Sequence, residues 1–202
     1  MILIGVNRSP YTRRVAITLN AYGVPYEQRT VSGFGERDEV RRANPLGRIP
    51  ALVLDDGETL VDSNAIVDHL DEVYGGAEPL TPRAGADRRS VLKVTALMLG
   101  ACDKALQAAY HRNHIPVEKR HQPWFDDCLA QASHALEAVD AMVDPGKPYL
   151  LLERLTQADI TVFVAERLAR FGLSIDTASR MPRLREHACR LAKLAPFSQT
   201  EP

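Results

Sequence analysis

The chain has 202 residues, enough for one large domain or two small ones with a sizeable buried core. Its 25 basic and 26 acidic residues nearly cancel, so no net field favours a nucleic acid or a membrane surface as partner. No stretch approaches the roughly 18 apolar residues of a membrane span, and the beginning, MILIGVNRSP, lacks the basic leader and long apolar core of a signal peptide. These features predict a soluble cytoplasmic protein that binds a small molecule or another protein.

The three cysteines favour neither disulfides nor a metal centre. Cys102, Cys128 and Cys189 are widely spaced, and no CxxC or Cys/His pair has the spacing of metal ligands. We therefore expect three reduced cysteines at core or surface positions, and no metal cofactor.

The first part of the chain alternates strand-like and helical patterns. Gly23 stops the first helix, Asp56-Gly57 marks a hairpin, and Ser63 opens a helix with apolar residues on one face. The predicted elements are a strand near 1–6, a helix near 11–22, a strand near 26–31, a short helix near 36–43, strands at 51–54 and near 58–61, and a helix near 63–74. Their order is βαβαββα.

Beyond the Gly- and Pro-rich stretch GGAEPLTPRAG, nearly every segment has helical spacing. Thr156, followed by Asp159 and an apolar run, is a capping box at a helix start. The predicted helices lie at about 85–110, 118–143, 157–171 and 182–194. We therefore predict an α/β domain at 1–76, a linker at 77–84 and an all-helical domain at 85–202.

The stretch NRSPYTRRV follows the first strand directly and raises the question of what Ser9 does. Serine followed by proline is a good helix N-cap with Pro10 at the first helical position, which is a structural role. The same turn presents a hydroxyl and a helix N-terminus to a bound anion. The two roles are compatible, because a hydroxyl can accept through a lone pair while donating its own proton.

Four strings in register resemble the soluble, cytosolic-type glutathione S-transferase superfamily, in a bacterial-like form with a serine-type N-terminal motif. They are SPYTRRVAITL at 9–19, NPLGRIPAL at 44–52, DSNAIVDHL at 62–70 and TQADI at 156–160. The resemblance covers nearly the whole chain. It implies a thioredoxin-like N-terminal domain, an all-helical C-terminal domain and a homodimer.

The resemblance also implies that glutathione supplies the reactive thiol as cosubstrate. Redox relatives of this fold carry CxxC in the turn after the first strand, where this chain has Ser9-Pro10-Tyr11-Thr12. A hydroxyl that donates to sulfur, with the helix N-terminus behind it, would lower the thiol pKa by roughly one to three units. Ser9 is the first candidate for this donor, and Tyr11 and Thr12 compete with it.

Three arginines lie near these strings. Arg13 and Arg14 are expected to be solvated helix charges, one of which raises the local positive potential. Arg48 is expected near the glycine carboxylate of glutathione, where a cation is suitable; a plain surface charge is the alternative.

The remaining two strings are expected to hold the peptide backbone of glutathione. The resemblance implies a cis bond between Ile49 and Pro50, which would let an extended tripeptide pair with the Ile49 backbone. Ser63 would bind the γ-glutamyl carboxylate, or else act only as an N-cap, and Asp62 would hold the ammonium group.

The helical domain is expected to supply the pocket for a small hydrophobic electrophile, placed between the two domains. The candidates are Asp103, Tyr110, His111 and Trp124. The alternative for His111 is an ordinary surface or core residue, and the alternative for Trp124 is a core or dimer contact.

The leading hypothesis is therefore a glutathione transferase in which the thiolate attacks this electrophile, as in detoxification. A glutathione-dependent dehalogenase, isomerase or peroxidase on the same fold, or a binding or regulatory protein without turnover, is the alternative.

Overall fold

The computed structural model describes residues 1–33 and 35–201. They form two compact units, one made of residues 1–83 together with 192–202 and the other of residues 84–191. The described helices include none that is both long and apolar enough to cross a membrane.

The N-terminal unit is built on a sheet of four short strands, in the order β2-β1-β3-β4. β1 pairs with β2 in parallel, and the other two pairings are antiparallel. Leu3 of β1 lies opposite Gln28 of β2 and Leu52 of β3. The strands are β1 (Ile2–Ile4), β2 (Glu27–Arg29), β3 (Ala51–Val53) and β4 (Thr59–Val61).

Three helices cover this sheet on its two faces. Leu3 and Leu52 belong to a buried cluster with the apolar faces of α1 (Pro10–Ala21) and α3 (Ser63–Tyr74), whereas Ile4 and Ala51 pack with Val40 of α2 (Arg37–Ala43). Each fully buried aliphatic side chain contributes about 1.5–3 kcal/mol to folding. The order βαβαββα and the thioredoxin-like arrangement are as the sequence predicts.

The second unit is helical. The long helix α4 packs against α5 and α6, and α6 packs against α8. Cys102 and Cys128 are buried among these helices, and Cys189 is half-buried. The helices are α4 (Gly85–His114), α5 (Gln122–Asp140), α6 (Gln157–Arg167), α7 (Thr177–Arg180) and α8 (Pro182–Leu191), with a 3-10 turn at Val117–Lys119 and a π-helical turn at Leu168–Gly172.

The start of α6 is a closed, buried cap, as the string TQADI predicts. The Asp159 Oδ2 atom accepts hydrogen bonds from the Thr156 N–H at 3.0 Å and the Thr156 hydroxyl at 2.9 Å. Its Oδ1 atom accepts from the Leu150 N–H at 2.8 Å and from the Nε2–H of buried His187 at 3.1 Å. A single carboxylate thus joins the start of α6 to the preceding loop and to α8.

The C-terminal residues differ from the sequence-based division. Residues 192–202, assigned from the sequence to the helical domain, group with the N-terminal unit. Their short helix α9 (Ala195–Ser198) packs against α1, where Asn20 donates from Nδ2 to the Pro196 carbonyl at 3.2 Å. A four-residue helix is too short to show a hydrophobic period, so the sequence pattern predicts neither α7 nor α9.

Candidate functional site

Three loops of the N-terminal unit meet at one edge of the sheet. Ala51 at the start of β3 lies opposite Ile4 at the end of β1 and opposite Val61 at the end of β4. The segments that carry Ser9 and Ser63 follow the ends of β1 and β4, and the segment that carries Ile49 leads into the start of β3. The topology therefore brings the three sequence strings of the first domain to the same edge.

Ser9 caps α1 and is half-buried. Its backbone is extended, with φ −76° and ψ 125°, and its carbonyl accepts the Arg13 N–H at 2.9 Å. Its Oγ accepts the Thr12 N–H at 3.4 Å, which is long for a hydrogen bond. The N-cap role is confirmed, and the length of the bond means that the hydroxyl is held loosely.

The Thr12 hydroxyl is in a different environment from that of Ser9. Thr12 is 0% exposed, and its Oγ1 has no hydrogen-bond partner among the residues described. A Cβ built on Gly5, whose φ is +143°, would lie 2.5 Å from this oxygen, so only glycine fits there. Thr12 is thus packed beneath the turn after β1, while Tyr11 is half-buried.

The two arginines of α1 are buried, so the prediction that they are solvated is wrong. Arg13 is 6% exposed and donates from Nε to the Thr200 hydroxyl at 3.2 Å. Arg14 is 3% exposed and donates from Nη1 to the Asn64 Oδ1 atom at 2.8 Å. Their partners lie far along the chain, on the C-terminal segment and on α3, where no local pattern could indicate them.

Asn44 organises the loop before β3. Its Nδ2 donates to the Arg48 carbonyl at 2.7 Å, and its Oδ1 accepts the Leu46 N–H at 3.1 Å. The Ile49–Pro50 bond is cis, as predicted, and the Arg48 side chain is exposed. Asn44 is buried and holds the loop that leads to Ile49 and Pro50, a structural role that the sequence reasoning missed.

The start of α3 is capped by Asp62 rather than by Ser63, so the N-cap interpretation of Ser63 is wrong. Asp62 has φ +71°, and its Oδ1 accepts the Asn64 N–H at 2.8 Å. Ser63 is the first helical residue and is 4% exposed, and its Oγ accepts from Arg14 Nη1 at 3.4 Å. Two helices are thus joined at this point by one guanidinium group.

A buried acid lies near Arg14. Asp71 accepts hydrogen bonds from the Tyr22 hydroxyl and from the Thr81 N–H, and the Tyr22 oxygen accepts the Leu80 N–H at 2.8 Å. Burial raises the pKa of the Asp71 carboxyl, and these hydrogen bonds and the charge of Arg14 oppose the rise. Asp71 therefore attaches the segment after α3 to α1 and balances a buried cation.

In the helical unit, His111 has a structural contact. Its Nε2 accepts the backbone N–H of His121, the residue that precedes α5, at 3.0 Å. Its ring lies 6.3 Å from the Phe125 ring, and its Nδ1 is buried without a partner in the described part of the chain. The lone pair of Nε2 is therefore already used.

The other helical candidates lie on α4 and α5. Tyr110 is 41% exposed, with its ring 5.8 Å from that of His114, and Asp103 is exposed. Trp124 is 45% exposed, and the Lys104 Nζ atom lies 5.4 Å from its ring centroid. Such a cation–π contact stabilises the position of the tryptophan.

Comparison with known proteins identifies relatives of this chain. The family model "Glutathione S-transferase, N-terminal domain" matches residues 3–78. A probable maleylacetoacetate isomerase from Vibrio cholerae is 32% identical, covering 100% of this chain and 95% of its own. The maleylacetoacetate isomerase of Pseudomonas aeruginosa is 29% identical over 96% of this chain and 92% of its own.

Among solved structures, a glutathione S-transferase from Methylobacillus flagellatus with GSH bound is 27% identical, with a TM-score of 0.91. The alignment covers 100% of this chain and 98% of that one. Sequence and structure therefore agree over the whole length, and the chain belongs to the soluble glutathione S-transferase superfamily.

Proposed function

We propose that the N-terminal unit binds glutathione and that Ser9 stabilises its sulfur as a thiolate. The observation that carries this proposal is the half-buried Ser9 at the N-terminus of α1, whose hydroxyl oxygen accepts, among the hydrogen bonds described, only the 3.4 Å contact from the Thr12 N–H. Because that contact uses a lone pair, the hydroxyl proton is available for the sulfur. A hydrogen bond to a charged group contributes roughly 1.5–3 kcal/mol, equivalent to about one to two pKa units.

Burial favours Ser9 over Thr12 as this donor. The Thr12 hydroxyl is inaccessible in the described structure, whereas Ser9 and Tyr11 are both partly exposed. Tyr11 stays the competing donor. A Tyr11→Phe variant removes its hydroxyl and keeps the ring, so it separates the two candidates.

The rest of glutathione is assigned to the other two loops at the same edge of the sheet. The Ile49 backbone beside Pro50 would pair with the cysteinyl backbone of the tripeptide, and the exposed Arg48 would meet the glycine carboxylate. Ser63 and Asp62 would meet the carboxylate and the ammonium group of the γ-glutamyl end.

The first candidate reaction is conjugation. The thiolate attacks an electrophilic carbon, an S–C bond forms, and the leaving group departs with its electron pair. Lowering the thiol pKa raises the fraction of nucleophile at neutral pH, which is the main task of such a site. Glutathione is consumed in this reaction.

The second candidate is isomerisation of a cis-alkene, favoured by two full-length relatives named as maleylacetoacetate isomerases. The same thiolate would add reversibly to the activated double bond, rotation would follow about the resulting single bond, and elimination would restore the thiolate. Glutathione then acts catalytically and is not consumed.

For the electrophile, Tyr110 and Trp124 are the stronger candidates in the helical unit because both side chains are substantially exposed. Asp103 is also exposed, whereas the His111 Nε2 lone pair is occupied. The homodimer and the cytoplasmic location stay predictions.

One experiment separates these functions. The protein is tested for retention on immobilised glutathione, and glutathione is then followed during reaction with an aryl halide and with maleylacetoacetate. Loss of glutathione with the halide indicates a transferase, and conversion of the alkene without such loss indicates an isomerase. Retention without turnover of either would favour a binding protein, and failure to bind glutathione would contradict the proposed site.

A further inference from the structure

Arg14 links α1 to the start of α3 in the N-terminal unit. It is 3% exposed, belongs to α1, and reaches the start of α3, where its Nη1 donates to Asn64 Oδ1 at 2.8 Å and to Ser63 Oγ at 3.4 Å. A buried guanidinium is retained only with good partners, and Asp71 supplies the opposing charge nearby. The arginine is therefore fixed in place by the packing of the unit.

The contact with Arg14 determines which donor and acceptor atoms at the start of α3 stay available to a ligand. Arginine has donors only, a hydroxyl has one donor and two lone pairs, and a carboxamide has separate donor and acceptor atoms. Arg14 occupies the Asn64 Oδ1 atom at 2.8 Å and engages the Ser63 oxygen more weakly at 3.4 Å, so the Asn64 NH₂ group and the Ser63 O–H are the donors left for a ligand. These donors lie at a helix N-terminus, which itself favours an anion.

The same helix start also offers an acceptor. One oxygen of the exposed Asp62 carboxylate takes the Asn64 N–H at 2.8 Å, and a carboxylate retains further lone pairs. Donors beside a negatively charged acceptor match the carboxylate and ammonium groups of an α-amino acid. The γ-glutamyl end of glutathione carries this pair.

We propose that Arg14 is a positioning residue for glutathione, holding the acceptor atoms of Ser63 and Asn64 so that only their donors face the α-carboxylate of the γ-glutamyl group. This inference rests on the proposed glutathione site. It assigns selectivity for the α-carboxylate to a side chain that need not contact the ligand.

The test compares glutathione with its analogue lacking the α-carboxylate, γ-aminobutyryl-cysteinylglycine, by titration calorimetry. In the wild type, the carboxylate is expected to improve the dissociation constant by roughly 10- to 100-fold. In Arg14→Met, this ratio is expected to fall by about threefold or more, since the acceptor atoms are released to turn toward the ligand while the N-terminus of α3 stays in place. In Arg14→Lys, the single ammonium is expected to give an intermediate ratio.

Arg13→Met is the matched control. Arg13 is the neighbouring residue, is similarly buried and contacts Thr200 rather than α3. A general weakening of α1 would affect both variants, but only loss of Arg14 should change the ratio. Arg14→Met/Asp71→Asn removes both buried charges and serves if the single variant fails to fold.

An unchanged ratio in the foldable Arg14 variant, or a wild type that does not distinguish the two ligands, would overturn the inference while leaving glutathione binding intact. A wild type that binds neither ligand would instead refute the proposed function and this inference with it.

Discussion

The starts of α1 and α6 use the same local chemistry for different ends. At α6, the Asp159 carboxylate accepts four hydrogen bonds of 2.8 to 3.1 Å and is fully buried. At α1, the Ser9 hydroxyl accepts one contact at 3.4 Å, and Ser9 as a whole is only half-buried. The polar groups at the start of α6 are satisfied within the protein, whereas the Ser9 hydroxyl keeps a proton available for the ligand that we propose there.

The substitution expected to have the greatest consequence, a loss of folding stability, is at the buried cap of α6. Asp159→Ala would leave four buried donors without their acceptor and should lower the free energy of unfolding by about 3–5 kcal/mol, measured by chemical denaturation. Asp176→Ala is the control, because Asp176 caps the short exposed helix α7 through the Ser179 N–H at 3.1 Å and should cost much less. Equal losses in the two variants would contradict the contrast between buried and exposed caps.

Ser63→Ala should have the next largest effect, on ligand affinity. Loss of a hydrogen bond to the γ-glutamyl carboxylate would raise the glutathione dissociation constant by roughly 10- to 100-fold. Ser9→Ala should change the same constant only a few-fold, since Ser9 is assigned to the sulfur. Calorimetric titration of both variants checks this division, and an unchanged constant in Ser63→Ala would remove that residue from the site.

The smallest expected effect is the pH dependence from Asp71. Burial raises the pKa of its carboxyl above the ordinary 3.8, so the folded state binds this proton more readily than the unfolded state. The stabilising contribution of Asp71 is therefore full below about pH 3.8 and is lost as the pH rises through the folded pKa. The melting temperature of the wild type relative to Asp71→Asn should fall over that window.

Asp176→Asn supplies a control of opposite sign. Hydrogen bonds from Ser179 lower the pKa of the Asp176 carboxyl, so its contribution is present above its unfolded pKa and is lost as the pH falls. If the two variants showed pH trends in the same direction, the assignment for Asp71 would be wrong.

The sequence predicts those features that depend on neighbouring residues. The helix caps at Ser9 and Thr156 are local patterns, and the order of strands and helices follows from hydrophobic periods and turns. The cis bond before Pro50 came from the family resemblance.

The features that sequence reasoning missed depend on distant partners. Arg13 and Arg14 read as surface charges because their partners, Thr200 and Asn64, lie 187 and 50 positions away. The sequence pattern predicts the cap of α3 one residue too late, because Asp62 adopts a positive φ that is uncommon outside glycine. Burial of charge and backbone handedness at a single residue leave little trace in a local pattern.

In the function that we propose, the Ser9 hydroxyl at the N-terminus of α1 stabilises the thiolate of bound glutathione. The most direct measurement is the pKa of bound glutathione, followed by ultraviolet absorbance of the thiolate in the wild type, Ser9→Ala and Tyr11→Phe. We expect a pKa roughly one to two units higher in Ser9→Ala than in the wild type, with Tyr11→Phe unchanged. An unchanged pKa in Ser9→Ala would contradict it.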